Sequence, residues 1–224
     1  MRETLSQSRF QKIFFGEFYR DLKFSDIDIG IFLSVFFLSM LGIVMVASVT
    51  IPLTDGSLSM TFNHILKLVI AVVVGLYVFR FSFEIWKSID IVLVLFSFFL
   101  LTLVFFPIIG FEANGASRWI RILGFSFQPS ELMKFALIIY ISSYCYRRMT
   151  EFKEQWLGFW KPVSVVVSAI ALVLIEPDLG SSAVIFLISL TIMFIAGAPM
   201  KQMLIILFMG LMVFVCMIIL VPWR

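Results

Sequence analysis

Four stretches of this chain carry no charge over a length that crosses a bilayer: Ile29–Val49, Ile91–Phe111, Leu179–Met200 and Gln202–Trp223. A transmembrane helix needs about 20 apolar residues. It is helical because hydrocarbon offers no partner to a free backbone N–H or C=O. The 224 residues are 62% hydrophobic, with a mean hydropathy of +1.09, which excludes a soluble domain. The reading is all-α: a polytopic membrane protein. The first 26 residues carry nine charges, so they are not a signal peptide. A net charge of +3 is no nucleic-acid signature, and no nucleic-acid partner is expected. Cys145 and Cys216 fall in apolar segments and read as small buried hydrophobes rather than a disulfide or metal site. His64 has no Cys or His neighbour that would make a zinc spacing.

About seven spans are expected, near residues 27–49, 62–80, 89–110, 130–146, 158–176, 179–197 and 201–222. Together they make a transmembrane domain over residues 27–222. Lys67, Lys134 and Lys161 interrupt the second, fourth and fifth. Lys67 and Lys161 lie near helix ends, where a long side chain reaches the headgroups. Sidedness follows from Lys and Arg in short loops. The N-terminus, the loops at 80–88 and 147–161 and the turn at Lys201 hold twelve of them, and the opposite set holds three. The N-terminus is therefore expected to be cytoplasmic. Within residues 1–26, Phe10, Ile13, Phe14, Phe18 and Leu22 recur at helical spacing beside Arg9, Lys12, Arg20 and Lys23. That pattern predicts an interfacial amphipathic helix, the alternative being a disordered basic tail.

By parity, two charged turns then face the extracytoplasmic side. The first is Gln128-Pro129-Ser130-Glu131-Leu132-Met133-Lys134. Proline suits a helix's first turn, the helix dipole favours Glu131 there, and Lys134 at i+3 shares its face. Such a pair either lines a polar cavity or is a buried ion pair that only fixes packing. The second turn carries Glu176 and Asp178 around Pro177. Two acidic residues there cap a helix, or they bind a divalent cation (Mg or Mn) or orient a lysine. Upstream, Asn114-Gly115-Ala116-Ser117-Arg118-Trp119-Ile120-Arg121 reads as a polar loop. Its arginines suit phosphate and its tryptophan suits a membrane interface, the alternative being headgroup anchoring.

NGASRWI, LGFSFQPSELMKFALIIY and EPDLGSSAVIFLISLTIMFIAG, in that order and spacing, resemble the SEDS family, whose members include RodA, FtsW and SpoVE. The resemblance runs from about Phe24 onward. It implies ten transmembrane helices with both termini inside, and polymerisation of lipid II on the outer face of the cytoplasmic membrane. It also implies work beside a class B penicillin-binding protein and other elongation or division proteins. On this resemblance Glu131 and Lys134 are the functionally important pair at the cavity. Arg118, Trp119, Arg121 and Ser130 are the expected substrate contacts, and Glu176 and Asp178 the expected cation or structural pair. The family's catalytic aspartate lies on a loop after helix seven, and the sequence stops at Arg224. The chain is therefore expected to be the N-terminal portion of such a protein and inactive alone. A lipid-substrate flippase and a non-enzymatic cell-wall scaffold are the competing readings. The sequence does not separate elongation from division paralogues.

Overall fold

A computed structural model describes residues 28–53, 58–106, 110–113, 116–122 and 125–220. The amphipathic segment expected within residues 1–26 lies outside them. The described residues form eight helices and one small sheet: α1 (Ile29–Leu53), α2 (Ser59–Phe79), α3 (Phe83–Leu103), β1 (Gly110–Ala113), β2 (Ala116–Ile122), β3 (Phe125–Phe127), α4 (Pro129–Arg147), α5 (Met149–Glu154), α6 (Trp156–Ile175), α7 (Leu179–Ile195) and α8 (Met200–Leu220). Five of them, α1, α2, α3, α6 and α8, are long and apolar enough to cross a membrane, and α7 is a shorter apolar helix. The protein is a multi-pass membrane protein. A helix overlaps each expected span, but α4, at the fourth, is not among those long and apolar enough to cross. The third departs most, since α3 covers Phe83–Leu103 where 89–110 was expected. The chain turns after Leu103, and Gly110 already belongs to a strand.

The chain divides into two compact units, Met1–Ile85 and Trp86–Arg224. In the first, α1 starts on Asp28, whose Oδ1 accepts from the Ile31 N–H at 3.1 Å. Asp is favoured there because it satisfies an orphan amide of the first turn. α1 packs along α2, and Thr50 and Thr61 share a hydrogen bond at 3.1 Å between their hydroxyls. Almost everything else on these two helices is apolar and exposed, as on a surface facing lipid.

The second unit holds the core. α4 packs on α7 and α6, and α6 packs on α7. Met133, Leu137 and Ile141 recur on one face of α4 and are fully buried against Val166, Ala169 and Val173 of α6 and Ile185 of α7. This is the i, i+4, i+8 stripe of a helix buried on one side. The short helix α5 closes onto α6, where the Phe152 and Phe159 rings lie 5.6 Å apart. Gly158 sits so close to α5 that a Cβ there would collide with the Glu151 carbonyl oxygen. Tyr144 of α4 donates to the Gly158 carbonyl at 2.8 Å and ties three helices together.

At the same end of α4, Arg147 Nη2 pairs with Asp90 Oδ2 of α3 at 2.5 Å, and Nη1 donates to the Lys87 carbonyl at 2.8 Å. Asp90 is only 2% exposed. A buried carboxylate needs such a partner.

The segment expected to be a polar loop is a three-stranded antiparallel sheet of order β1-β2-β3. Ala113 pairs with Ala116, Phe111 with Trp119, Ile120 with Phe127 and Arg121 with Ser126. The two residues between Ala113 and Ala116 are Asn-Gly, the pair most favoured for a tight hairpin. β3 runs directly into α4, so the sheet fixes where that helix begins.

Candidate functional site

α4 begins where it does because Pro129 occupies its first position. A residue before proline is pushed out of the helical region, and Gln128 accordingly has an extended backbone with ψ 113°. α7 begins two residues after Pro177, with Asp178 as its N-cap. Asp178 Oδ1 accepts from the Ser181 N–H at 3.0 Å, and its carbonyl accepts from the Ser182 hydroxyl at 2.8 Å. The two helix starts come together in the second unit: the buried Ser130 hydroxyl is 3.5 Å from that of Ser181.

Beside this junction lies a cavity of about 420 Å3. β2 contributes Arg118 and Trp119, the approach to α4 contributes Gln128, and the second turn of α4 contributes Lys134. The start of α7 contributes Asp178, Gly180 and Ser181, with Val184 one turn further in. Four expected site residues, Arg118, Trp119, Lys134 and Asp178, therefore line one space. Ser130 sits behind it, against Ser181. Arg121 is placed by its backbone, opposite Ser126 in the sheet.

Lys134 Nζ bonds Glu131 Oε1 at 2.6 Å, with Lys134 17% and Glu131 56% exposed. The pair is thus no buried packing clamp. The ammonium is at the cavity and the carboxylate is turned out of it, and an exposed pair of this kind contributes only about 0–1 kcal/mol. Arg118 is less free than its sequence suggests. Its Nε donates to the Glu176 carbonyl at 3.2 Å and its Nη2 to the Pro177 carbonyl. It straps β2 to the turn between α6 and α7 and brings positive charge to the cavity wall.

Glu176 does not line the cavity. It is 1% exposed, and neither carboxylate oxygen has a hydrogen-bond partner among the described residues. Burial pushes its carboxyl up to about 8, the neighbouring Asp178 charge adds to this, and Arg118 opposes it. Glu176 therefore holds its proton at neutral pH, as an unpaired buried acid must.

The two acids expected as a cation or structural pair are placed differently, Asp178 at the cavity and Glu176 buried away from it. Among the described residues no third His, Cys, Asp or Glu joins these two acids. Both oxygens of Asp178 are engaged, Oδ1 by Ser181 and Oδ2 by the Gln128 amide at 2.9 Å. Mg2+ usually takes only one or two protein carboxylates, with waters and substrate phosphates completing its shell, and of this pair Asp178 alone lines the cavity. Gln128 is the residue that sequence reasoning passed over. Its signal was its place in front of Pro129, read only as part of a helix start.

A helix bundle with Arg118 and Lys134 on a polar cavity at the convergent starts of two helices defines a class: a multi-pass membrane protein with a charged cavity among its helix starts. Comparison makes this specific. Residues 29–224 match the family model for FtsW, RodA and SpoVE, described as "Cell cycle protein", and the chain belongs to that family. A relative from Saccharophagus degradans, named probable peptidoglycan glycosyltransferase FtsW, is 35% identical over 205 residues, covering 90% of this chain and 53% of its own length. An Escherichia coli O6:H1 relative of the same name is 33% identical over 193 residues, covering 84% and 46%. The chain spans about half the length of the curated relatives it matches. Among solved structures, Thermus thermophilus rod shape determining protein RodA superposes with a TM-score of 0.63 at 22% identity, covering 80% of this chain and 57% of RodA. A chain from a peptidoglycan synthase complex, studied for its coordination of polymerization and crosslinking, superposes at 0.69 with 24% identity, covering 88% and 60%. These likenesses show the fold.

Proposed function

We propose that this chain belongs to a peptidoglycan glycosyltransferase that polymerises lipid II at the outer face of the bacterial cytoplasmic membrane, in elongation or division. The observation that carries the reading is the cavity in which Arg118, Lys134 and the starts of α4 and α7 converge. Lipid II presents a sugar joined to a pyrophosphate. In the transfer, an acceptor hydroxyl oxygen forms the new glycosidic bond, the bond from the donor sugar to pyrophosphate breaks, and the hydroxyl proton passes to a base. The departing pyrophosphate gains charge, and fixed cations and helix N-termini stabilise charge that develops in the transition state. Lys134 brings its ammonium to the cavity, and Arg118 holds the wall in place while adding to the field. Trp119 gives the cavity an amphipathic face for the sugar or the headgroup boundary.

The base is assigned outside the described carboxylates. Glu131 is turned away and paired, Asp178 is doubly engaged, and Glu176 holds its proton. A class B penicillin-binding protein, working with other elongation or division proteins, is the proposed partner. It is supported by the synthase complex among the structural neighbours.

The test is lipid II polymerisation by the whole protein with its partner, comparing wild type with Lys134→Ala. Loss of one charge-stabilising group costs about 100-fold or more in rate. Wild-type polymerisation by a correctly inserted variant would end this role for Lys134.

A further inference from the structure

We propose that Gln128 is a positioning residue for this site, a latch whose amide locks the start of α4 to the start of α7. The inference rests on the proposed function, since it says what keeps that site in register. Asp178 lies 50 residues from Gln128 in sequence, yet its Oδ2 accepts from the Gln128 amide at 2.9 Å while its Oδ1 caps α7. A carboxylate only accepts, so the amide nitrogen must face it. Gln128, Asp178 and Ser181 all border the cavity that Lys134 enters. The α4 side of this junction carries Lys134 and the α7 side carries Ser181. Beside the Ser130–Ser181 contact, this side chain therefore fixes the spacing between the ammonium and the opposite wall. The same bond occupies the second oxygen of Asp178. This keeps a second carboxylate, besides Glu131, from pairing with Lys134 at the cavity.

The test is a double-mutant cycle in the whole protein: Gln128→Glu, Asp178→Asn and the two together. Gln128→Glu sets two carboxylates face to face, which repel at pH 7.5 and come to share a proton as the pH falls. The single variant is expected to lose about 10- to 100-fold in polymerisation at pH 7.5, from a lost hydrogen bond to a charged group. Its rate should recover as pH falls. In the double variant the introduced asparagine amide donates to the introduced carboxylate, which restores the bond with its polarity reversed. That variant should regain most of the loss and the wild-type pH profile. Melting temperature is followed in parallel, because it reports the hydrogen bond without reference to activity. A Gln128→Glu variant with wild-type rate and pH profile, or a double variant no better than Gln128→Glu, overturns the latch. Coupling seen only in melting temperature, with polymerisation unmoved, makes the bond merely structural and overturns its positioning role. A wild-type protein that does not polymerise sinks the function and the positioning role together, and the melting cycle then still reports whether the bond exists.

Discussion

Replacing Glu176 with Gln is the sharpest probe of the buried turn between α6 and α7. Glu176 is buried without a hydrogen-bond partner among the described residues, and its carboxyl is raised from 4.5 to about 8. A carboxyl raised on folding binds its proton more tightly in the folded state than in the unfolded one. The contribution of Glu176 to stability is therefore greatest below about pH 4.5, falls through the interval up to 8, and levels above it. The full interval corresponds to about 5 kcal/mol, at ~1.4 kcal/mol per pH unit of displacement. Between about pH 5 and about pH 8 the loss is about 3 to 4 kcal/mol. At about 2–4 °C per kcal/mol for a chain of this size, that lowers the melting temperature by roughly 10 °C. Gln is isosteric and neutral, so Glu176→Gln should match the wild type near pH 5 and exceed it by about that margin at pH 8. Melting followed by tryptophan fluorescence in one detergent, at matched ionic strength, gives both curves. The difference between them isolates Glu176, because every other titrating group is common to the two proteins. Parallel curves for the two proteins would show that Glu176 is already ionised in the fold, and the burial argument would fail.

Two further predictions concern how the bundle holds together. Gly158→Ala should destabilise by about 1–3 kcal/mol, because the new methyl runs into the backbone carbonyl of Glu151. Gly210→Ala should cost less, since its methyl meets the Phe186 ring, which can turn aside, and paired melting temperatures order the two. At the Asp90–Arg147 pair, Arg147→Ala should be worse than Asp90→Ala, with an upper figure of about 3–5 kcal/mol. The first strands a buried carboxylate, while the second leaves a guanidinium that is already 41% exposed. Equal melting temperatures for the two variants would contradict this.

How much of this was legible beforehand depends on whether a feature is local. Charge-free runs such as Ile29–Val49 and Gln202–Trp223 announce helices because any other backbone would leave polar groups bare in lipid. Pro129 announces the start of α4 for reasons contained in two residues. The sheet was equally local but overlooked. Asn114-Gly115 between short runs is a hairpin signal, yet polarity was weighed above turn chemistry. Asp90 escaped notice because it sits just outside a charge-free run, and nothing near it in sequence reveals Arg147, 57 residues away. The role of Arg118 was illegible for the same reason. Its acceptors are backbone carbonyls 58 and 59 residues on, and any residue type could supply a carbonyl there.

That non-local wiring explains why three carboxylates can stand near two cations without cancelling them. Glu131 meets Lys134 from the exposed side, so water screens the pair and the ammonium still reaches the cavity. Asp178 spends its charge on an α7 amide and the Gln128 amide, both neutral donors. Glu176 escapes charge by keeping its proton, and Arg118 bonds to carbonyls rather than to that carboxyl. Apart from the screened Glu131, none of these acids is paired with the cations of the site. The positive ends of α4 and α7 add to the same field. Arg118, Lys134 and two helix N-termini therefore stand at the cavity although its surroundings are rich in acids, and on the proposed function they are the groups that would meet a pyrophosphate. On the proposed function, none of these three acids is placed to take the acceptor proton, and the base is assigned elsewhere in the protein.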